Sequence, residues 1–256
     1  MTYSFAGLII QIVSSKALIE NHQHRDCIIL FMRVPEVGKV KTRLSKKLAP
    51  KTILDLYQCF VLDILHTAQK TKIHIRIFFH PAGFEASLSQ WLGDSYDFHL
   101  QDGKDLGIRM ANAFIRTFSS GYDRAILIGT DCPEMTVEIL EESFYGINQT
   151  GCVIGPAVDG GYYLIGFKAD SFTEKPFHNV EWGKAIVYQQ TLDRCHQINI
   201  KPYILQPLND IDTWDDLQLF YQHHHGKNFS DSHTIRYLVV NKILDALPKK
   251  PNQDSL

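Results

Sequence analysis

The chain has 256 residues, 45% of them hydrophobic and 21% charged, with a formal net charge of −2. That balance supports a sizeable α/β core, excludes wholesale disorder, and gives no electrostatic case for nucleic acid or a membrane surface as partner. Five cysteines, Cys27, Cys59, Cys132, Cys152 and Cys195, are widely spaced and never CxxC, which predicts buried reduced thiols in a cytoplasmic protein and no disulfide frame or zinc site.

The first segment, Ala6–Ile19, is moderately apolar but interrupted by Gln11, Ser14, Ser15 and Lys16, without a basic n-region. It is too short and polar to span a bilayer. Residues 1–25 are therefore expected to form an N-terminal appendage packed on the domain or on a second subunit, as in a homodimer. Asp26–Val34 is the first strand and Pro35 ends it; the loop that follows carries Gly38, Lys39, Lys41, Arg43, Lys46 and Lys47. Apolar residues at 53, 56, 57, 60, 61, 64, 65 and 68 give Thr52–Lys70 a helical period. Lys72–Phe79 alternates as a strand, Glu85–Leu92 reads as a short helix, Tyr96–Gln101 as a short strand and Asp105–Phe118 as a helix. The Arg124–Thr130 strand and a Val137–Ile147 helix come next. Gly151–Pro156 and Tyr162–Phe167 are strands flanking the turn Val158-Asp159-Gly160-Gly161. Trp182–Arg194 is expected to be helical, Ile200–Leu205 a strand, and another helix opens near Thr213. The pattern His233–Leu247 predicts a terminal helix ended by Pro248. Strands alternating with helices predict a mainly parallel, doubly wound sheet. The domain is expected at 26–226, followed by a C-terminal helix and tail at 227–256.

Within that pattern, RAILIGTDCP (124–133) is the stretch most suited to chemistry. A short apolar run reads as a strand buried on both faces, and ligands gather at the carboxyl end of such strands. Asp131 places a carboxylate there, suited to a divalent cation, although capping the helix that begins near Glu134 is the competing use of the same residue. Lys39, Lys41 and Arg43 alternate, so an extended loop would point them one way. Beside a glycine turn at Gly38 they suit phosphate, although a lysine run is also an ordinary solvated surface. The spacing is not that of a Walker A loop.

FMRVPEVGKVKTRLSKKL, QDGKDLGIRMANAF, LIGTDCPEM, GPAVDGGYYLIGF, the Trp182 segment and DIDTWDDL occur in an order that resembles a family of GT-A-like transferases. Its members are described as radical-SAM/selenodomain-associated transferases or arsenosugar-biosynthesis glycosyltransferases, and the match spans roughly residues 26–222. More distantly the pattern is similar to nucleotidylyltransferases of the nucleotide-diphospho-sugar transferase superfamily. The resemblance implies a Rossmann-like GT-A fold and a nucleotide-activated donor.

It also implies a role for each motif. Gly38, Lys39, Lys41 and Arg43 would embrace nucleotide phosphates, with Lys41 and Arg43 neutralising the leaving group. Gln101 would meet the base and Gly107 would let the ring approach. Gln101 as a plain loop residue remains an alternative. Arg109 would reach a phosphate, or else pair with Asp105 one turn away. Asp131 takes the place of the metal-binding aspartate, but Gly129 departs from the glycosyltransferase DxD, so a second ligand must come from elsewhere. Asp212, in the segment Asn209–Thr213, is the choice, against the alternative that it or Thr213 caps the last helix. Hard oxygen ligands suit Mg²⁺ or Mn²⁺. Asp159, Gly160 and Gly161 would line the acceptor or sugar pocket with Trp182, or simply form a hairpin turn. The expected reaction is glycosyl transfer from a nucleotide sugar to a small acceptor. Nucleotidylyl transfer from a nucleoside triphosphate and non-catalytic nucleotide sensing are the other readings. His223, His224, His225 and His233 are expected to be a solvated histidine run and Cys132 an inert buried thiol.

Overall fold

In the computed structural model, which describes residues 25–224 and 231–244, the run Asp26–Arg33 forms β1, an interior strand of a seven-stranded sheet. Its residues explain that position. Ile28, Leu30 and Met32 enter the core on one face, while Cys27, Ile29 and Phe31 enter the core on the other. A strand with no polar face can only lie between two layers of helices. The expected appendage lies outside the described residues except for Arg25, as does His225; the expected terminal helix is shorter than its pattern suggests, ending at Val240 with Asn241 as its C-cap.

The other strands are β2 (His74–His80), β3 (Asp97–Leu100), β4 (Arg124–Ile128), β5 (Cys152–Pro156), β6 (Tyr162–Lys168) and β7 (Tyr203–Ile204). Their order across the sheet is β3-β2-β1-β4-β6-β5-β7. Among the described residues β6 alone runs antiparallel, pairing with β4 and β5, so the sheet is mostly parallel as expected. β1 pairs with β2 on one side and β4 on the other. The chain therefore reverses its direction of winding between β1 and β4, and the crevice outside their carboxyl ends is the natural ligand site of an open α/β sheet.

The helices are α1 (Pro50–Lys70), α2 (Glu85–Leu92), α3 (Leu106–Ser119), α4 (Val137–Thr150), α5 (Val187–Gln197), α6 (Trp214–His224) and α7 (His233–Val240). One face of the sheet is covered by α1, α4, α6 and α7, the other by α3 and α5. The helical stripe on α1 is buried as its period predicts, and Pro50 at the first turn lacks only an N–H that would have had no helical partner. Thr136 and Asp105 cap α4 and α3 by accepting from the amides three residues on. α7 folds into the main core: Ile235 and Leu238 pack there. Buried Asp63 of α1 holds its first turn, accepting from Ser232 Oγ at 2.8 Å, His233 N at 2.6 Å and Thr234 N at 3.0 Å.

Two further expectations at element level are corrected. The strand expected over 200–205 has only two paired residues, because Val153 and Ile154 are all that β5 offers it. The helix expected from Trp182 starts at Val187; residues 182–186 instead form a loop that crosses the mouth of the crevice, and Tyr188 N donates to Gly160 O to anchor it.

Candidate functional site

Three loops meet outside the carboxyl ends of β1 and β4. The loop after β1 carries Lys39–Arg43, the loop after β4 carries Gly129–Asp131, and the 209–213 segment arrives from the far end of the chain. A backbone hydrogen bond from Ile211 N to Asp131 O, 2.9 Å, joins the last two. Tyr57 on α1 ties the strand ends together. Its hydroxyl accepts from Arg33 N, donates to Arg33 O and lies 3.3 Å from Thr130 Oγ1, and burial pushes it up to about 12.

Lys41 is the hub. Its Nζ lies 2.6 Å from Asp131 Oδ1 and 2.8 Å from Asp212 Oδ1, and its side chain is 5% exposed. Burial works against the ammonium, but the two carboxylates outweigh it and hold Lys41 above the ordinary lysine range. Arg43 Nη1 lies 3.0 Å from Asp212 Oδ2 with its side chain 69% exposed. Burial likewise acts to raise Asp212, and Lys41 and Arg43 reverse it, keeping that carboxyl below the usual range. The expectation that Lys39, Lys41 and Arg43 point the same way from an extended loop is corrected. Lys41 has left-handed backbone angles (φ 44°, ψ 42°) and a tight helical turn, Thr42–Lys46, begins beside it, so Lys41 turns inward while Lys39 and Arg43 stay at the surface.

The capping readings separate cleanly. Thr136 caps α4, which leaves Asp131 free of that task, and its side chain is 48% exposed in the crevice. At α6, Asp216 Oδ2 accepts from Asp212 N and Thr213 N, while Asp216 N donates to Thr213 Oγ1. Thr213 and Asp216 thus cap each other and leave the Asp212 carboxylate to face Lys41 and Arg43.

The crevice has a volume of about 920 Å³, the size of a substrate site. Lys39, Lys41, Arg43, Gln101, Arg109, Asp131, Asp159, Gly161, Trp182 and Asp212 all line it. Gly38, at φ +73°, shapes the loop without lining the space. Gln101 lies in the loop just after β3 but is not idle there: its Nε2 donates to Met32 O and Phe78 O, clasping the ends of β1 and β2, so the amide has only its oxygen left for a ligand. Gly107 does not admit a ring from the crevice. A Cβ there would sit 2.5 Å from Trp182 Cζ2 and 2.8 Å from Phe177 O, so the glycine seats Trp182 against α3. Arg109 is not paired with Asp105, whose carboxylate accepts from Ile108 N; its Nε donates to Gly103 O instead.

Asp159 serves both readings proposed for it. Its Oδ1 accepts from Gly161 N in the β5–β6 turn, and the residue also lines the crevice. Gly160 lies beneath the 182–186 loop, where a Cβ would be 2.0 Å from Ala185 O. Trp182 packs edge-on to Tyr162, ring centroids 6.4 Å apart.

Sequence reasoning passed over Tyr57, Arg33 and His80. Tyr57 hides in the apolar stripe of α1; its hydroxyl was the signal. Arg33 and His80 end β1 and β2, and both line the crevice. Burial, then Arg109 and Arg33, hold His80 below the ordinary histidine range. Asp210 belongs to the same segment as Asp212. Burial, then Asp159 and Asp131, push it up to about 7, and Cys132 Sγ lies 3.7 Å from its Oδ1. Burial keeps Cys132 itself well above the usual thiol range, hence protonated and inert. His224 pairs with Glu134 at 3.0 Å, so that part of the histidine run is not simply solvated.

The donor chemistry fits a divalent cation. Asp131 and Asp212 are hard oxygen donors that converge on one point, the Lys41 ammonium. Among the described residues no group of three or more His, Cys, Asp or Glu is placed to hold an ion alone. A cation here would need further oxygens from substrate phosphates and water, as Mg²⁺ commonly does.

Comparisons with known proteins agree with this architecture. Residues 62–184 match the bacterial family described as "Uncharacterized protein conserved in bacteria" (DUF2064). A solved structure from Desulfovibrio desulfuricans G20, given the provisional name nucleotide-diphospho-sugar transferase, is 36% identical with a TM-score of 0.82. The alignment covers 86% of this chain and 96% of that one. The 4-diphosphocytidyl-2C-methyl-D-erythritol synthase of Anaerococcus prevotii DSM 20548 shares the fold, at 9% identity and a TM-score of 0.52, covering 77% of this chain and 96% of its own. No curated protein matches the chain. Among the described residues, no helix is long and apolar enough to cross a membrane.

Proposed function

Because the chain belongs to the family of the Desulfovibrio protein provisionally named a nucleotide-diphospho-sugar transferase, we propose that it is a divalent-cation-dependent transferase acting on a nucleotide-activated donor, with glycosyl transfer to a small acceptor as its reaction. The observation that carries this reading is the convergence of Asp131 and Asp212 on Lys41, with Arg43 beside them, at the β1–β4 switch point.

In this reading Asp131 and Asp212 would hold Mg²⁺ or Mn²⁺ beside the donor phosphates. A bound cation would supply Lewis-acid stabilisation of charge on the leaving diphosphate. Lys41 and Arg43, which face the two carboxylates, supply positive charge to the same oxygens, Arg43 as a fork and Lys41 as a point charge. Tyr57 fixes the strand ends so that this geometry need not form during the reaction. Arg109, with its terminal nitrogens beyond the Gly103 contact, reaches a further phosphate oxygen. Gln101 offers its oxygen to an N–H on the base. Asp159 hydrogen-bonds an acceptor hydroxyl, and Trp182 walls that side. No protein nucleophile is required.

Nucleotidylyl transfer is the second reading. Lys39, Lys41 and Arg43 around one crevice suit a triphosphate, and in that case a substrate phosphate attacks the α-phosphorus. A thermal-shift panel of nucleotide sugars and nucleoside di- and triphosphates, with and without Mn²⁺, ranks the ligands through mass action. Turnover assays with the best ligand then decide: nucleoside diphosphate release supports glycosyl transfer and pyrophosphate release supports the second reading. Metal-independent binding without turnover of any donor would leave a nucleotide sensor.

A further inference from the structure

Three of the four carboxylate oxygens on Asp131 and Asp212 already face a cation of the same chain. Lys41 takes Oδ1 of both, and Arg43 takes Asp212 Oδ2. We propose that Lys41 and Arg43 are resident counter-ions of this carboxylate pair, exchanged for a divalent cation when an incoming diphosphate offers them other oxygens. This rests on the reading of Asp131 and Asp212 as cation ligands.

The argument is electrostatic and geometric. A divalent ion bridging the two carboxylates would lie beside a buried ammonium, and like charges in so dry a place repel strongly. A bare ion therefore meets a filled position. A diphosphate changes the balance, because its oxygens accept from ammonium and guanidinium at least as well as carboxylates do. Every charge then keeps a partner throughout the exchange. The local structure suits such a movement. Lys41 sits in left-handed backbone, a conformation unfavourable for a residue with a side chain. Arg43 is largely in solvent and free to swing. Cation and nucleotide would thus bind cooperatively, each strengthening the other by the same factor.

The test is binding of Mn²⁺ alone to the full chain, read from the electron paramagnetic resonance signal of free Mn²⁺. Lys41→Gln removes the central counter-ion and should bind Mn²⁺ about tenfold tighter than the wild type or better. Arg43→Gln should show a smaller gain, about threefold, because Arg43 meets Asp212 alone. Thermal unfolding checks that each variant folds, and the exposed Arg43 keeps the test available should Lys41→Gln fail to fold. Unchanged or weaker Mn²⁺ binding in the folded variants overturns the exchange. Adding Asp131→Asn separates the two ideas. If it abolishes Mn²⁺ binding in every background while the counter-ion variants show no gain, the cation site stands and the exchange falls. If Mn²⁺ binding survives Asp131→Asn unchanged, the assignment of Asp131 as a ligand falls, and the exchange with it.

Discussion

Lys41 Nζ and Asp131 Oδ1 lie 2.6 Å apart, although one residue follows β1 and the other follows β4, almost a hundred positions later. The contact exists because β1 and β4 are paired neighbours whose carboxyl ends open on one crevice. Removing the carboxylate leaves the buried Lys41 ammonium with Asp212 as its remaining carboxylate partner and takes away the proposed cation ligand. Asp131→Ala should lower kcat about 10²–10³-fold with the best donor from the ligand panel. Steady-state rates at saturating donor and Mn²⁺ check this; a variant within threefold of wild type would count against a catalytic carboxylate there.

Gly160 offers a test of the crevice wall. It has φ +92°, and a Cβ would press to 2.0 Å from the backbone oxygen of Ala185. Backbone oxygen cannot rotate away as a side chain can. Gly160→Ala should cost more than about 2 kcal/mol of stability and displace the 182–186 loop. Urea denaturation reads the first effect, and the fluorescence of Trp182 reads the second.

Asp63 tests the tie between α1 and α7. Its carboxylate satisfies three donors at the start of α7. Asp63→Ala leaves those donors without their acceptor in a buried place, at a cost of about 3 kcal/mol. Asp63→Asn retains one acceptor oxygen and should lose less. Chemical denaturation of both variants gives the order.

His99 on β3 gives a pH dependence. Burial, then Arg76 and Arg116, push it down to about 4 from an ordinary value of 6.5. Arg76 Nε lies 3.0 Å from His99 Nε2, a contact that a neutral ring accepts and a protonated ring cannot. The unfolded chain binds the proton more readily, so the neutral ring favours the folded state above about pH 6.5. That contribution is lost as pH falls from there towards 4. His99→Gln should flatten the acid side of a stability curve over this range, measured by urea midpoints at successive pH values.

The sequence by itself determined the layers and the main pieces of chemistry. The apolar runs of β1 and β4 demanded cover on both faces, the stripe on α1 named its buried side, and Asp131 could be placed at a strand end. These are local properties, written in period and in punctuation by proline and glycine. Tertiary structure alone decided who meets whom. Lys41 looked like one of three equivalent cations until its backbone turned it inward. Gly107 looked like room for a base until Trp182 filled the space, and Tyr57 looked like one more member of a stripe. Whether Asp212 capped a helix or faced the crevice depended on Asp216 taking the capping role and on Ile211 pairing with Asp131. The physical reason is long-range contact: strand pairing brings β1 and β4 together, a backbone hydrogen bond from Ile211 to Asp131 brings in the 209–213 segment, and no local pattern records the partner of a side chain that far along the chain.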